Sequence, residues 1–192
     1  QSNGGIKSLR QSERLPVGAI LSGPAGGVSG AIHYGSLVCE SNIIAVDMGG
    51  TSTDISLSHD GTPTVSSERF ESGWKIATPM IDMRTLGAGG GSIARLDEAG
   101  FLQVGPESAG ADPGPVSYGR GGNQPTVTDA NLVLGYIDSD NFFGGRKTLD
   151  RHVAETVLEE QIAIPLKLSV EEAASGIHKL ASSKISEGIR LM

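Results

Sequence analysis

Residues 42–58 read NIIAVDMGGTSTDISLS. An apolar run, Ile43 to Val46, precedes the eight residues Asp47-Met48-Gly49-Gly50-Thr51-Ser52-Thr53-Asp54, and Ile55 and Leu57 alternate with Ser56 and Ser58 after them. That pattern predicts a strand, a tight turn and a second strand. Gly49 and Gly50 have no side chain in the way, so their backbone N–H groups can approach phosphate oxygens, and Thr51, Ser52 and Thr53 add hydroxyl donors. Asp47 and Asp54 would repel phosphate by themselves; they make sense if a hydrated Mg²⁺ or another divalent metal stands between carboxylate and phosphate. An ordinary Gly-Gly hairpin turn accounts for the glycine pair alone, whereas the full octapeptide between two strands favours the phosphate reading. A Walker loop needs a lysine after its last glycine and a helix behind it; here Thr51 follows, and a strand.

Working outward, AILSGPAGGVSGAIHYGSLVCE (19–40) reads as a short strand, a glycine turn and a helix carrying Ile32, Leu37 and Val38, after a polar lead-in over 1–18. Downstream, Asp60-Gly61 signals a turn into a third strand through TPTVSSERF, completing an antiparallel meander. Residues 74–86 read as extended, 87–92 as a loop, and SIARLDEAGFLQVG as a hairpin turning at Glu98-Ala99-Gly100. Residues 105–125 hold too much Pro and Gly for a helix or a central strand. Leu132 to Leu134 lie in a short helix after Thr128. Asp150 can cap a helix from Arg151 to about Ile162 that Pro165 ends. Ser169 and Glu172 have capping-box spacing for a last helix, with Ala173, Ile177, Leu180, Ala181, Ile185 and Ile189 on one face. Its pattern is still running at Met192, which suggests a piece of a longer protein. The organisation expected is one domain, with a glycine-rich α/β core over 19–150 and a helical segment over 151–192.

The chain is built of 192 residues, 38% apolar and 19% charged, enough to bury roughly 70% of its unfolded surface and too apolar for wholesale disorder. Fifteen Lys and Arg against 22 Asp and Glu give a net charge of −7, with no basic cluster in the sequence. This argues against duplex nucleic acid and against an anionic membrane as partner. A single cysteine, Cys39, can form no internal disulfide, so a reducing cytoplasm is the expected compartment and a small buried apolar residue the expected role. The 28 glycines, far above the usual share of about 7%, are concentrated in blocks.

The second block, Gly87-Ala88-Gly89-Gly90-Gly91-Ser92, lacks the third glycine of a dinucleotide fingerprint and by itself suits a hinge equally well. Asp82 before it, Asp112 in an Ala-Asp-Pro loop and Asp129 at the start of a helix could ligate metal or position substrate; capping for Asp129 and a turn for Asp112 are the plainer roles. Arg84 could clamp a carboxylate. His33, His59, His152 and His178 stand in no metal spacing, and Trp74 reads as a core anchor.

The strings LSGPAGGVSGA, AVDMGGTSTDISL, IDMRTLGAGGGSIARL, VGPESAGADPGP and PTVTDANLVLGYI, the last followed by FFGGRKTLD, cover most of 21–150. In this order they resemble the hydantoinase A and 5-oxoprolinase family (N-methylhydantoinase A-like), of the actin, sugar kinase and heat-shock ATPase superfamily. The resemblance implies an α/β fold: a ribonuclease H-like lobe of the actin-like ATPase type, with an antiparallel β-hairpin phosphate loop and a helical C-terminal part. It implies ATP-dependent opening of a cyclic amide, hydantoin or 5-oxoproline, through a phosphorylated intermediate, with a hydantoinase B-like subunit or domain as partner. Asp47 and Asp54 would organise Mg²⁺ and water, Gly49, Gly50, Thr51 and Thr53 would hold ATP, and Asp82, Arg84, Gly89, Gly90, Asp112 and Asp129 would lie on the substrate side. Acetone and acetophenone carboxylases use similar subunits, and an actin-like nucleotide switch has a similar hairpin; the VGPESAGADPGP and GAGGGS strings speak against the switch. Ser117 departs from the family, many of whose members have cysteine there.

Overall fold

The computed structural model describes residues 1–71 and 73–192, apart from the side chain of Glu71. Backbone packing divides the chain into two compact units. One comprises Gln1–Asp47, Asp54–Thr85 and Met192, the other Met48–Thr53 and Leu86–Leu191. Among the described residues no helix is long and apolar enough to cross a membrane.

In the first unit, α1 (Leu9–Arg14) is followed by α2 (Ser22–Leu37), then β1 (Ile43–Met48) and β2 (Thr53–His59). Short strands β3 (Thr62–Pro63), β4 (Val65–Ser66), β5 (Arg69–Glu71), β6 (Trp74–Ile76), β7 (Met80–Ile81) and β8 (Met83–Leu86) complete it. The main sheet runs β1-β2-β3, and β8 also pairs with β2. Antiparallel pairing of β2 with β3 sets Ser58 opposite Pro63 and His59 opposite Thr62, so the turn expected at Asp60-Gly61 is there, with both residues at positive φ. The expected third strand breaks into β3, β4 and β5, β4 leaving to pair with β7 and β5 with β6.

Three expectations are corrected in this unit. The short strand expected from residue 19 is the end of a 3₁₀ helix (Pro16–Ala19) followed by a turn, and the glycine turn after it is helix: Gly23, Gly26 and Gly27 lie inside α2. Each interior glycine costs about 1 kcal/mol of helix propensity, but Pro24 sits in the first turn, where an N–H is not needed. Packing of Ala25 and Val28 with Ile81 and Met83 supplies the support that propensity lacks. Gly35 near the end of α2 has a steric reason, since a methyl there would meet Ile43 Cδ1 at 2.3 Å and Glu40 O at 2.8 Å. Cys39 is exposed at φ 60°, and Trp74, on the β5–β6 hairpin, is 77% exposed and anchors no core. The polar lead-in is tied down: buried Ser2 donates its N–H to Gly18 O, and its carbonyl accepts the Ile81 N–H, both at 2.8 Å.

The second unit contains the expected hairpin, β9 (Ser92–Leu96) with β10 (Leu102–Ser108), Leu96 opposite Leu102 and Ala94 opposite Val104. Its turn is closed by the Asp97 carboxylate, which accepts the N–H groups of Phe101 (2.8 Å) and Ala99 (3.0 Å); the Phe101 bond above all holds its pKa below the usual 3.8. Helices α3 (Val127–Val133), α4 (Arg151–Leu158), α5 (Ile164–Leu166) and α6 (Val170–Arg190) follow. The Asp150 cap on α4 and the Ser169–Glu172 capping box on α6 are present as expected. Pro165 does not end α4: a π turn over Glu159–Ala163 leads into α5, which contains Pro165 and stops at Lys167, φ 57°. The widened turn precedes a proline whose ring would clash with a carbonyl four residues back in a regular helix. Ala94 and Val104 of the hairpin, Leu132 of α3, Leu158 of α4 and Ala173, Ile177 and Ala181 of α6 form the core. Full burial of Ile177 alone is worth about 1.5–3 kcal/mol.

Candidate functional site

In the first unit, Asp47 at the end of β1 and Asp54 at the start of β2 open onto one cavity of about 380 Å³. Its walls are the face of α2 that carries Pro24, Gly27, Val28 and Ala31, together with β1, β2 and Met83. The Asp47 carboxylate lies over Gly27, where a methyl would stand 3.7 Å from Oδ2. Asp54 is half-buried and its Oδ1 accepts the Thr85 hydroxyl at 2.6 Å. Ser56, 2% exposed, also lines the cavity, and its Oγ has no hydrogen-bond partner among the described residues. No group of three or more His, Cys, Asp or Glu suited to a metal exists among the described residues. A cation held by Asp47 and Asp54 would thus take its remaining ligands from water or phosphate, the usual habit of Mg²⁺, and the hard carboxylate oxygens fit it.

In the second unit, Met48–Thr53 is clamped onto the second glycine block. Gly90 N–H donates to Gly49 O at 2.9 Å and Gly91 N–H to Gly50 O at 2.6 Å. A turn bond from Gly49 N–H to Ser52 O (2.8 Å) closes the loop, and buried Thr53 donates its hydroxyl to Ala88 O. Behind the block, the N–H and hydroxyl of Thr128 both donate to Gly90 O, at 2.8 and 2.9 Å. The glycines are required by this approach: a methyl on Gly89 would lie 2.8 Å from Gly49 O and from Gly50 C and O, and one on Gly91 2.8 Å from Gly50 O. Residues 87–92 therefore form a backing for the loop.

The clamp decides where the loop's donors point. In a trans peptide the C=O and the following N–H are antiparallel. With the carbonyls of Gly49 and Gly50 turned onto the block, the N–H groups of Gly50 and Thr51 face the opposite way, on an exposed edge. Two such donors on consecutive residues are available to phosphate oxygens.

The other candidate residues are distributed differently. Asp82 is exposed between β7 and β8, its N–H on Thr64 O, and Arg84 is half-buried in β8; among the described residues it is Met83 between them that reaches the cavity. Asp112 is exposed and lines a separate cavity of about 280 Å³ in the second unit, with Ile93, Ser108 and Asn123. Asp129, fully buried, accepts Thr126 N–H and hydroxyl, Val116 N–H and Ser117 N–H at 2.8–3.2 Å, so it serves the capping box of α3 and pins the 115–117 turn. Sequence reading passed over Gly27 and Thr85. The small residues of SGPAGG were the available signal for the first; nothing local marks the second, which reaches Asp54 from 31 residues away.

The chain matches the family described as hydantoinase/oxoprolinase over residues 1–192. It is 48% identical over 190 residues to the caprolactamase subunit alpha of Pseudomonas jessenii, an alignment that covers 99% of this chain and 27% of that protein. With 5-oxoprolinase 1 of Arabidopsis thaliana the identity is 41% over 208 residues, covering 99% of this chain and 16% of the plant protein. Among solved structures, the nucleotide-free form of acetone carboxylase, described under a mechanism of ATP-dependent acetone carboxylation, superposes with a TM-score of 0.87 at 37% identity. That match covers 100% of this chain and 27% of the other. The chain thus spans about a quarter of the length of such relatives or less.

Proposed function

The chain belongs to the hydantoinase/oxoprolinase family, and from that premise we propose that it is part of an ATP-dependent hydrolase that opens a cyclic amide of the hydantoin or 5-oxoproline type. The observation that carries the reading is the outward pair of N–H groups at Gly50 and Thr51, fixed by the clamp on Gly49 and Gly50. Those donors and the Thr51 hydroxyl receive phosphate oxygens, and Asp47 and Asp54 hold Mg²⁺ and orient water. ATP, when bound, would supply a phosphoryl group to the amide oxygen with release of ADP. Water adds to the activated carbon, the ring C–N bond breaks with a proton passing to nitrogen to leave an acyl phosphate, and a second water hydrolyses that to carboxylate and inorganic phosphate. Thr85 keeps the Asp54 carboxylate in one orientation, and Thr53 supports the loop through Ala88 rather than meeting the nucleotide. The neighbouring β1 and β2 joined by this loop also support a ribonuclease H-like lobe of actin-like ATPase type, and the naming of relatives as subunits supports a further component as partner, of hydantoinase B-like kind.

In the full-length protein, Asp47→Asn should lower ATP-dependent turnover by roughly 10²-fold or more while the melting temperature stays close to wild type, because an exposed carboxylate contributes to the transition state and not to a core. Unchanged turnover would defeat the assignment. Likeness to acetone carboxylase over the whole chain favours a second reading, a carboxylase subunit. Assaying ATP consumption with hydantoins, 5-oxoproline and lactams against ketone plus bicarbonate separates the two.

A further inference from the structure

The sequence has no basic run, yet the second unit gathers Arg120, Arg146 and Lys147 at one place on a chain of net charge −7. They line a depression of about 400 Å³ with Tyr118, Gly145 and Thr148. A smaller depression sharing Tyr118, Arg120 and Lys147 is walled by Phe142 and Phe143. Among the described residues none of the three cations has a carboxylate partner; Arg120 donates to Ala111 O at 3.2 Å, and the Lys147 ammonium stands 5.6 Å from the centre of the Phe143 ring.

The segment that presents them is held in shape. Leu149 N–H donates to Ser139 O at its base, and Phe142 and Lys147 form an antiparallel bridge near its tip. At the tip Phe143, Gly144 and Gly145 all have positive φ (51°, 66° and 78°). Glycines adopt that region freely, whereas a phenylalanine there is strained, and Phe143 is 65% exposed, so burial of its ring does not offset the strain. Phe143 meets Phe142 edge-on, ring centres 4.7 Å apart, so the tip displays a half-exposed aromatic pair beside cations that have no carboxylate partner among the described residues. Tyr118 stacks on Phe142 with ring centres 5.6 Å apart. Burial, reinforced by Asp129 and opposed by Arg120, pushes the Tyr118 phenol up, so it remains an O–H donor at neutral pH.

We propose that this depression binds a phosphate-bearing small molecule, its oxygens held by Arg120, Arg146 and Lys147 and by the hydroxyls of Tyr118 and Thr148. Two guanidinium forks and an ammonium call for a ligand with at least two negative charges, and the fork matches phosphate oxygens two at a time. The site is separate from the residues assigned to ATP and does not depend on that assignment.

The test is calorimetric titration of the full-length protein with inorganic pyrophosphate in the presence of EDTA, with succinate as the carboxylate comparison. Wild type should bind pyrophosphate saturably and more tightly than succinate. R146Q/K147Q, with its melting temperature checked against wild type, should bind at least about tenfold more weakly. Gly89→Ala, which disturbs the loop at 49–51, should bind as wild type does. No saturable binding by wild type, equal affinity for succinate, or loss of binding in Gly89→Ala with retention in R146Q/K147Q would each overturn the proposal.

Discussion

The hydroxyl of Ser117 is 1% exposed and has no partner among the described residues, although the same residue's N–H donates to Asp129 at 2.9 Å. An unpaired buried hydroxyl costs about 1–3 kcal/mol, while a thiol or methyl there would not need a partner. Ser117→Cys and Ser117→Ala should therefore each raise unfolding stability by about 1 kcal/mol, read as a higher urea midpoint at unchanged slope. A lower midpoint would reveal a partner such as an ordered water. Asp129, twelve residues on, is the opposite case, since its carboxylate accepts four hydrogen bonds. Its capping role was legible from its place at the start of a helix; its grip on Val116 and Ser117 was not, because that depends on a turn brought back by the fold. Burial of single residues was the least legible property, as exposed Cys39 and Trp74 demonstrate.

At the scale of elements, the clamp between residues 49–50 and 89–91 is the feature that positions the candidate phosphate donors. Gly89→Ala puts a methyl 2.8 Å from backbone atoms of Gly49 and Gly50, and backbone cannot turn aside as a side chain can. The expected result in the full-length protein is a loss of ATP-dependent turnover of about 10²-fold, the scale of a 1 Å misplacement, with a stability cost of about 1–3 kcal/mol. Wild-type kinetics from a normally folded Gly89→Ala protein would show that the clamp does not set the donors. Strands β1, β2, β9 and β10 and helix α6 were readable because alternation, heptad-like spacing and caps are properties of consecutive residues. Helix α2 was misread because its glycines carry the local signature of a turn, and only contacts with Ile81 and Met83 overrule it.

For the whole molecule, the 192 residues produced alone should bind ATP no more tightly than the millimolar range, because two outward N–H groups of one loop leave most of a triphosphate in water. A titration giving micromolar affinity would mean that the chain holds a self-contained nucleotide site. By itself the sequence determined the family, the strand-loop-strand around Asp47 to Asp54, the hairpin at 92–108 and the capped helices. Each of these rests on the chemistry of neighbouring residues or on strings of them in order. Only the tertiary structure decided that the second glycine block backs the first, that Thr85 holds Asp54, and that Arg120, Arg146 and Lys147 meet on an acidic chain. These are juxtapositions of residues far apart in sequence, and their energies arise only when the core has closed around them, so no local pattern of residues encodes them.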